Sequence, residues 1–312
     1  METRNQTVEF ILLGLSDHEQ KSAGMFLLFL IIYIITLMGN FIIMVVIQCD
    51  PKLHTPMYFF ISNLSLVDIC FTTVTVPRLL ASFLLGARSI SFAACFAQMY
   101  FFVALGITES FILAVMAYDR WMAICKPLNY IEVMNPRLCS WLIAGSFLTA
   151  FLHSLLHVIT ISRLSYCGHS HIHHFFCDMT ALLKLSCSDT TTNELLIFTE
   201  GSVVIMSPFV FILVSYVIIV SSLLRHYSGE GRWRMFSTCS SHLTVVSLFY
   251  GTIIFIYFRP TLNYSLQYDR IVSVVYAVIT PMLNPFIYSL RNADVRGALK
   301  KVTHRIIFSK NT

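Results

Sequence analysis

Asp68 and Glu109 each fall near the middle of a long apolar stretch. An ionised carboxylate in such surroundings is costly, so it is a functional candidate by default. Two of them in one bundle need compensation, either by a proton or by a cation. Asn40, Ser65 and Asn284 would complete an oxygen-rich pocket that suits a small hard cation such as sodium. The competing reading is a protonated, hydrogen-bonded pair. Asp119-Arg120 closes the stretch that holds Glu109. An arginine there can pair with its neighbouring acid and keep a surface shut, or release and reach Tyr216 or Tyr288. That makes a two-state element; the plain alternative is a basic anchor at a membrane edge.

His153 and His157 stand one helical turn apart, with no third ligand obvious, and read as packing or loop-proximal residues rather than a metal pair. His169, His171, His173, His174 and Asp178 neighbour cysteines, and imidazole and thiolate are common transition-metal ligands. Their spacing matches no strong zinc pattern, so a polar, disulfide-stapled lid is the preferred reading. Cys95, Cys167, Cys177 and Cys187 fall on one side of the predicted membrane, and four cysteines allow three pairings. A bond from Cys95 into the segment at about 162–195 would hold that segment over the bundle mouth. No phosphate loop, HExxH or GxSxG occurs, so no enzyme is expected.

The elements that must position these residues are apolar runs at roughly 24–47, 57–82, 93–120, 139–161, 196–224, 236–258 and 271–290. At about 1.5 Å per residue, each is long enough for a hydrocarbon core of roughly 30 Å. The runs are continuous rather than alternating, which predicts helices and not barrel strands. Of the 312 residues 56% are hydrophobic and 12% charged, against about 25% charged in an ordinary soluble domain. That balance excludes a soluble enzyme, a disordered chain and a nucleic-acid binder. The expected fold is an all-α, seven-transmembrane helix bundle spanning 24–290. A polar, uncleaved tail covers 1–23, and a basic tail at 291–312 opens with a short amphipathic helix.

With the N-terminus outside, 13 of the 21 Lys and Arg residues fall on the inner side and eight on the outer. The positive-inside rule therefore predicts an extracellular N-terminus and a cytoplasmic C-terminus. The sequon at Asn5 fits an outer tail; that at Asn263 lies in a short loop close to the membrane, and that at Asn63 lies inside a span.

Several motifs now converge. Pro56-Met57-Tyr58-Phe59-Phe60 with Ser62-Asn63-Leu64-Ser65-Leu66-Val67-Asp68 resembles the second helix of vertebrate olfactory receptors. Met116-Ala117-Tyr118-Asp119-Arg120-Trp121-Met122-Ala123-Ile124-Cys125 resembles their third-helix signature, and Ser237-Thr238-Cys239-Ser240-Ser241-His242-Leu243 their sixth. Pro281-Met282-Leu283-Asn284-Pro285-Phe286-Ile287-Tyr288 and His174-Phe175-Phe176-Cys177-Asp178 add two more matches. The resemblance covers nearly the whole chain and is to the class II, tetrapod-type branch of this rhodopsin-like family. Trp121 stands where tyrosine is commoner, and Arg234-Met235-Phe236 where Lys-Ala-Phe is usual.

The resemblance implies odorant binding in the outer half of the bundle. At the inner face it implies a stimulatory, olfactory-type G protein that raises cyclic AMP. It implies Cys95–Cys177 and Cys167–Cys187 bonds, with Cys187 the runner-up partner of Cys95. Asp68 and Glu109 would hold a sodium-type site, the sole cofactor expected. Asp119, Arg120, Tyr216, Asn284 and Tyr288 would form the inner switch, and Tyr250 the toggle below the pocket.

Helical spacing around these anchors predicts the pocket. The third helix supplies Phe102, Val103, Gly106 and Ile107; the sixth supplies Tyr250, Ile253, Ile254 and Tyr257. Val204 and Ile205 come from the fifth, and Val274 and Ala277 from the seventh. Such a wall suits a small, volatile, weakly polar guest. Glu200, near the outer end of the fifth span, is the one acid close to it. The alternative is a small-molecule transporter or channel, which would want internal repeats and a polar path; the sequence has neither.

Overall fold

The computed structural model describes residues 9–15, 23–167, 170–226, 229–257, 266–291 and 293–308. Short strand β1 (Glu9–Leu12) precedes α1 (Ala23–Cys49) and α2 (Pro56–Leu85). Strand β2 (Ser89–Ser91) then leads into α3 (Phe92–Cys125), α4 (Pro127–Val133) and α5 (Pro136–Ser162). Strand β3 (His171–Ile172) and α6 (Met179–Leu185) follow. Next, α7 (Thr191–Leu196) runs through a π turn, Ile197–Gly201, into α8 (Ser202–His226), and α9 (Gly229–Tyr257) comes after it. Finally α10 (Leu266–Val274) runs through a second π turn, Val275–Ile279, into α11 (Thr280–Arg291), and α12 (Ala293–Phe308) ends the described chain.

Six helical stretches among the described residues are long and apolar enough to cross a bilayer, and α9 contributes a shorter apolar run, Cys239–Phe255. The expected seven-helix membrane bundle is the architecture found. Local chemistry sets the helix ends. Pro56 and Pro136 occupy first-turn positions where no N–H is needed. The Ser91 and Asn135 side chains cap α3 and α5 by accepting from the Ala94 and Leu138 amides. Gly86 ends α2 in the left-handed region, φ 64°, its N–H donating to the Ser82 carbonyl.

Large apolar side chains such as Leu27, Ile31, Trp141, Leu148 and Val217 face outward, as a lipid-facing surface requires. Inside, α3 is the hub, packed against α2, α5 and α8. Buried hydroxyls close on their own helices: Thr36 donates to Ile32 O at 2.8 Å, Thr72 to Asp68 O at 2.7 Å and Thr108 to Ala104 O at 2.8 Å. These three hydroxyls are thus satisfied without water.

The helices overrun the predicted spans. The fifth begins at Thr191 rather than about 196, and the sixth at Gly229 rather than about 236. Apolar runs mark where lipid begins, while backbone hydrogen bonds carry a helix beyond it. The expected amphipathic helix after the seventh span is 16-residue α12. It buries Val295 and Ala298 and is tied back by Lys301 Nζ to Asp50 Oδ2 at 3.0 Å.

One end of the bundle carries a cap. β1 lies between β2, antiparallel with Phe10 opposite Ile90, and β3, parallel with Leu12 opposite Ile172. Cys95–Cys177 and Cys167–Cys187 bonds fasten it, with Cα atoms 5.5 and 6.0 Å apart. The first closes an 82-residue separation, which in the chain-entropy account constrains the unfolded state by about 4 kcal/mol. Phe10, Leu12, Phe96, Met99, Ile172 and Leu182 form a second small core under the cap. Asn5, Asn263 and His169 lie outside the described residues.

Candidate functional site

Beneath the cap lies a cavity of about 120 Å³ with a largely apolar wall. An apolar cavity of roughly 150 Å³ accommodates benzene, so the guest it fits is small. Phe102, Val103, Gly106 and Ile107 of α3 line it, joined by Ile205 of α8 and Ile253 of α9. His153, His157, Met179, Ile197, Phe198, Gly201, Ser202 and Tyr276 complete the wall; spacing singles out the two histidines, as packing or loop-proximal residues, and none of the other six.

The other expected pocket residues lie elsewhere. Ile254 is 37% exposed on the outside of the bundle; it is one residue, about 100° of helix, from Ile253. Val204 is half-buried outside the wall, Val274 packs against the main core, and Ala277 is fully buried. The π turn at Val275–Ile279 explains the seventh helix: its extra residue breaks the 3.6-residue count from Asn284 and brings Tyr276 to the cavity. Tyr250 sits below, buried, with its hydroxyl 2.7 Å from Ser110 Oγ and its ring 4.6 Å from Phe209. The Tyr257 side chain lies outside the described residues.

Gly106 permits the closest approach in this region. A Cβ there would lie 2.5 Å from the Tyr276 hydroxyl oxygen. Tyr276 packs edge-on against Phe71 and Phe102, at 5.2 and 5.9 Å between ring centroids. Phe176 from the cap meets Phe102 at 4.3 Å, so the cap and the cavity wall share one aromatic stack.

Among the described residues the loop histidines do not gather. His174 places Nε2 3.2 Å from Ser273 Oγ and stacks on Phe175, while Asp178 caps α6 by accepting from the Thr180 amide. Burial, helped by the nearby Arg270 cation and opposed by Asp178, holds the His174 imidazole down to about 4. The unfolded chain, with an ordinary imidazole value of about 6.5, takes up the proton first as pH falls. The stability His174 contributes is therefore full above about 6.5 and lost as pH falls toward about 4. At pH 5 the loss is about 2 kcal/mol as an upper figure. Thermal unfolding of purified protein at pH 7.5 and 5 should show a drop that His174→Gln reduces; an equal drop in both proteins would remove His174 from that role.

Midway along the bundle, Asp68 accepts from Asn284 Nδ2 at 3.2 and 3.0 Å, one contact to each carboxylate oxygen. Asn40 Nδ2 donates to Thr36 O and Pro281 O at 3.0 and 3.1 Å. Three acceptor oxygens are buried with no hydrogen-bond partner: Asn40 Oδ1, Glu109 Oε1 and Asn284 Oδ1. Orphan oxygens beside two buried carboxylates are the donor set a hard monovalent cation takes. Ser65 is buried in the same helix, one turn from Asp68.

At the far end, buried Asp119 accepts from Tyr130 Oη of α4 at 2.8 Å. Among the described residues no ion pair joins it to Arg120, and Arg120 Nε has no hydrogen-bond partner. Tyr216, His242 and Tyr288 are buried as well. His242 is the residue spacing did not single out. Its Nδ1 lies 2.8 Å from Tyr216 Oη and its Nε2 3.1 Å from Leu113 O. A neutral ring that donates from Nε2 and accepts at Nδ1 satisfies both contacts. It bolts α3, α8 and α9 together.

Comparison with known proteins agrees with this architecture. The family model described as "Olfactory receptor" matches residues 29–305. Olfactory receptor 1f45 of Rattus norvegicus is 53% identical over 304 residues, covering 97% of each chain. Olfactory receptor 1L4 of Homo sapiens is 52% identical over 98% of this chain and 99% of its own. Olfactory receptor 1F1 of Homo sapiens is 51% identical over 96% of both. A multi-pass helix bundle, with a small apolar cavity at one end and a buried polar cluster at the other, thus falls within a single lineage along nearly its whole length: the chain belongs to the olfactory receptor family.

Proposed function

We propose that this chain is a plasma-membrane odorant receptor with its N-terminus and cap outside and its basic C-terminus inside. It binds small, volatile, mostly apolar molecules in the cavity and activates a stimulatory, olfactory-type heterotrimeric G protein at the opposite end, raising cyclic AMP. The observation that carries this is the layout of α3. One helix lines the cavity at Phe102, Val103, Gly106 and Ile107, passes Glu109 and Ser110 at mid-depth, and carries Arg120 five residues before its end at Cys125. Gly106 and Arg120 are 14 residues apart, about 20 Å along the axis.

The mechanism is a population shift. A guest that fits better when the far end is open moves the equilibrium by its differential affinity for the two states. Tyr250, tied to Ser110 below the cavity, carries the guest's displacement to α9. α9 also holds His242, so a shift of α9 strains the Tyr216–His242–Leu113 link. Release of that link frees the inner face, where Arg120 and Tyr288 have polar atoms without partners. Asp68, Glu109, Asn40 and Asn284 would hold a sodium ion, whose single charge would offset one of the two buried carboxylates. The limited contact area of such a guest points to micromolar rather than nanomolar affinity.

The test is a cyclic-AMP assay in cells that display the receptor, against a panel of volatiles, beside a solute-flux assay in proteoliposomes. Guest-dependent cyclic AMP without flux is the expected result. Flux without any nucleotide exchange on a G protein would place the chain with transporters instead.

A further inference from the structure

His153, His157 and Glu200 come together in the cavity region although 43 residues separate Glu200 from its nearer histidine. His153 and His157 project from one face of α5, with their Nε2 atoms 3.1 Å apart. Glu200 approaches from the next helix, its Oε1 3.7 Å from His153 Nδ1. One ligand atom from each residue lies within 4.8 Å of the others. Both histidines belong to the cavity wall.

Two further features set this cluster apart from ordinary packing. Glu200 is carried on the π turn at Ile197–Gly201, and single π turns in membrane helices often re-aim one side chain at a functional site. Its second oxygen, Oε2, is buried with no hydrogen-bond partner. Asp68 and Glu109 have the Asn284 amide beside them; among the described residues, Glu200 pairs with the His153 imidazole.

We propose that His153, His157 and Glu200 form a binding site for a divalent transition cation of the zinc class, built into the wall of the odorant cavity. Two imidazoles and one carboxylate are a standard ligand set for such an ion. A tetrahedral ion with metal–nitrogen bonds of about 2.0–2.1 Å places its ligand nitrogens about 3.3 Å apart, close to the spacing already present. A dication also offsets the Glu200 charge inside the membrane. Three protein ligands leave a coordination position open, and the two histidines face the cavity. A guest that carries its own nitrogen or sulfur lone pair would fill that position. This last step rests on the reading of the cavity as the odorant site; the ion site itself does not.

The experiment uses tag-free, full-length receptor in lipid nanodiscs, titrated with Co²⁺ as an optical probe and with Zn²⁺ as competitor. Wild type should take up one Co²⁺ with a tetrahedral visible spectrum that Zn²⁺ erases. His157→Gln and Glu200→Gln should each weaken uptake at least tenfold. A His171→Gln, His173→Gln protein, altered only in the cap, should bind as wild type. Glu200→Gln keeps the size of the side chain and one acceptor oxygen while removing the charge, so it carries the test if His157→Gln fails to fold. Absence of one-equivalent uptake in wild type, or unchanged uptake in Glu200→Gln, would overturn the site.

In cells, a zinc chelator should shift the dose response to amine- or thiol-bearing guests and leave that to hydrocarbons unchanged; equal responses would remove the open-position step. Cyclic-AMP responses with no Co²⁺ uptake would sink the metal site and spare the receptor reading. Co²⁺ uptake with no volatile active would do the reverse.

Discussion

Gly106→Val is expected to abolish the cyclic-AMP response to every agonist while leaving the receptor at the cell surface. The first added carbon already lies 2.5 Å from the Tyr276 hydroxyl, well inside van der Waals contact. The remaining two methyl groups have only the cavity to enter, and that cavity is about 120 Å³. Overpacking of this kind costs about 1–3 kcal/mol even where neighbours can yield. Tyr276 yields poorly, because it is held edge-on by Phe71 and Phe102. Gly106→Ala is the graded control. Its single methyl should raise agonist half-maximal concentrations by about 5- to 150-fold, least for the smallest guests. Helix α3 itself gains propensity from either change, so surface display should persist. An unaltered dose response for Gly106→Val would place the odorant somewhere other than this cavity.

His242→Phe should act in the opposite sense and raise cyclic AMP without any guest. The ring fits, but both of its polar contacts go, and Tyr216 Oη is left buried without its partner. Each net hydrogen bond is worth about 0.5–1.5 kcal/mol, and the stranded hydroxyl adds about 1–3 kcal/mol. On the proposed mechanism the loss falls on the closed arrangement, in which Leu113, Tyr216 and His242 meet. A closed-state penalty of about 1.4–2.8 kcal/mol multiplies the open fraction about 10- to 100-fold. The guest-induced increment should shrink to match. Tyr216→Phe should raise the basal signal through the same contact, so the double variant should fall short of the sum of the singles. A basal level equal to wild type, per receptor at the surface, would show that this link does not hold the inner face shut.

Much of the bundle could be read from composition and run length, because lipid imposes a crude rule: about 20 apolar residues and satisfied backbone. The cap could not. Glu9–Leu12 looks like part of a polar tail, and its pairing with Ser89–Ser91 and His171–Ile172 is long-range in the chain. Short strands with such partners carry no periodic signal of their own. In the cavity, the α3 residues were legible because that helix is regular from Phe92 to Cys125. Tyr276, Ile197 and Gly201 were hidden because π turns have no compositional mark. His153 and His157 were visible as a pair but lacked a third ligand on paper; Glu200 meets them only once α5 and the π turn are packed together. His242 stood in plain view within a motif, yet only the distances to Tyr216 and Leu113 give it work.

The two π turns have an evolutionary corollary. Each inserts one extra residue at cavity depth, in Ile197–Gly201 and in Val275–Ile279. A one-codon deletion within either segment would restore ordinary helix and swing everything on its cap side by about 100°. Ile197, the cap-side wall residue of the first segment, would rotate toward the acyl chains. Point substitutions can retune such a wall gradually, whereas a change of length there rewrites it in one stroke. Divergence among relatives should therefore proceed by exchange of side chains, with the residue count across these turns held fixed.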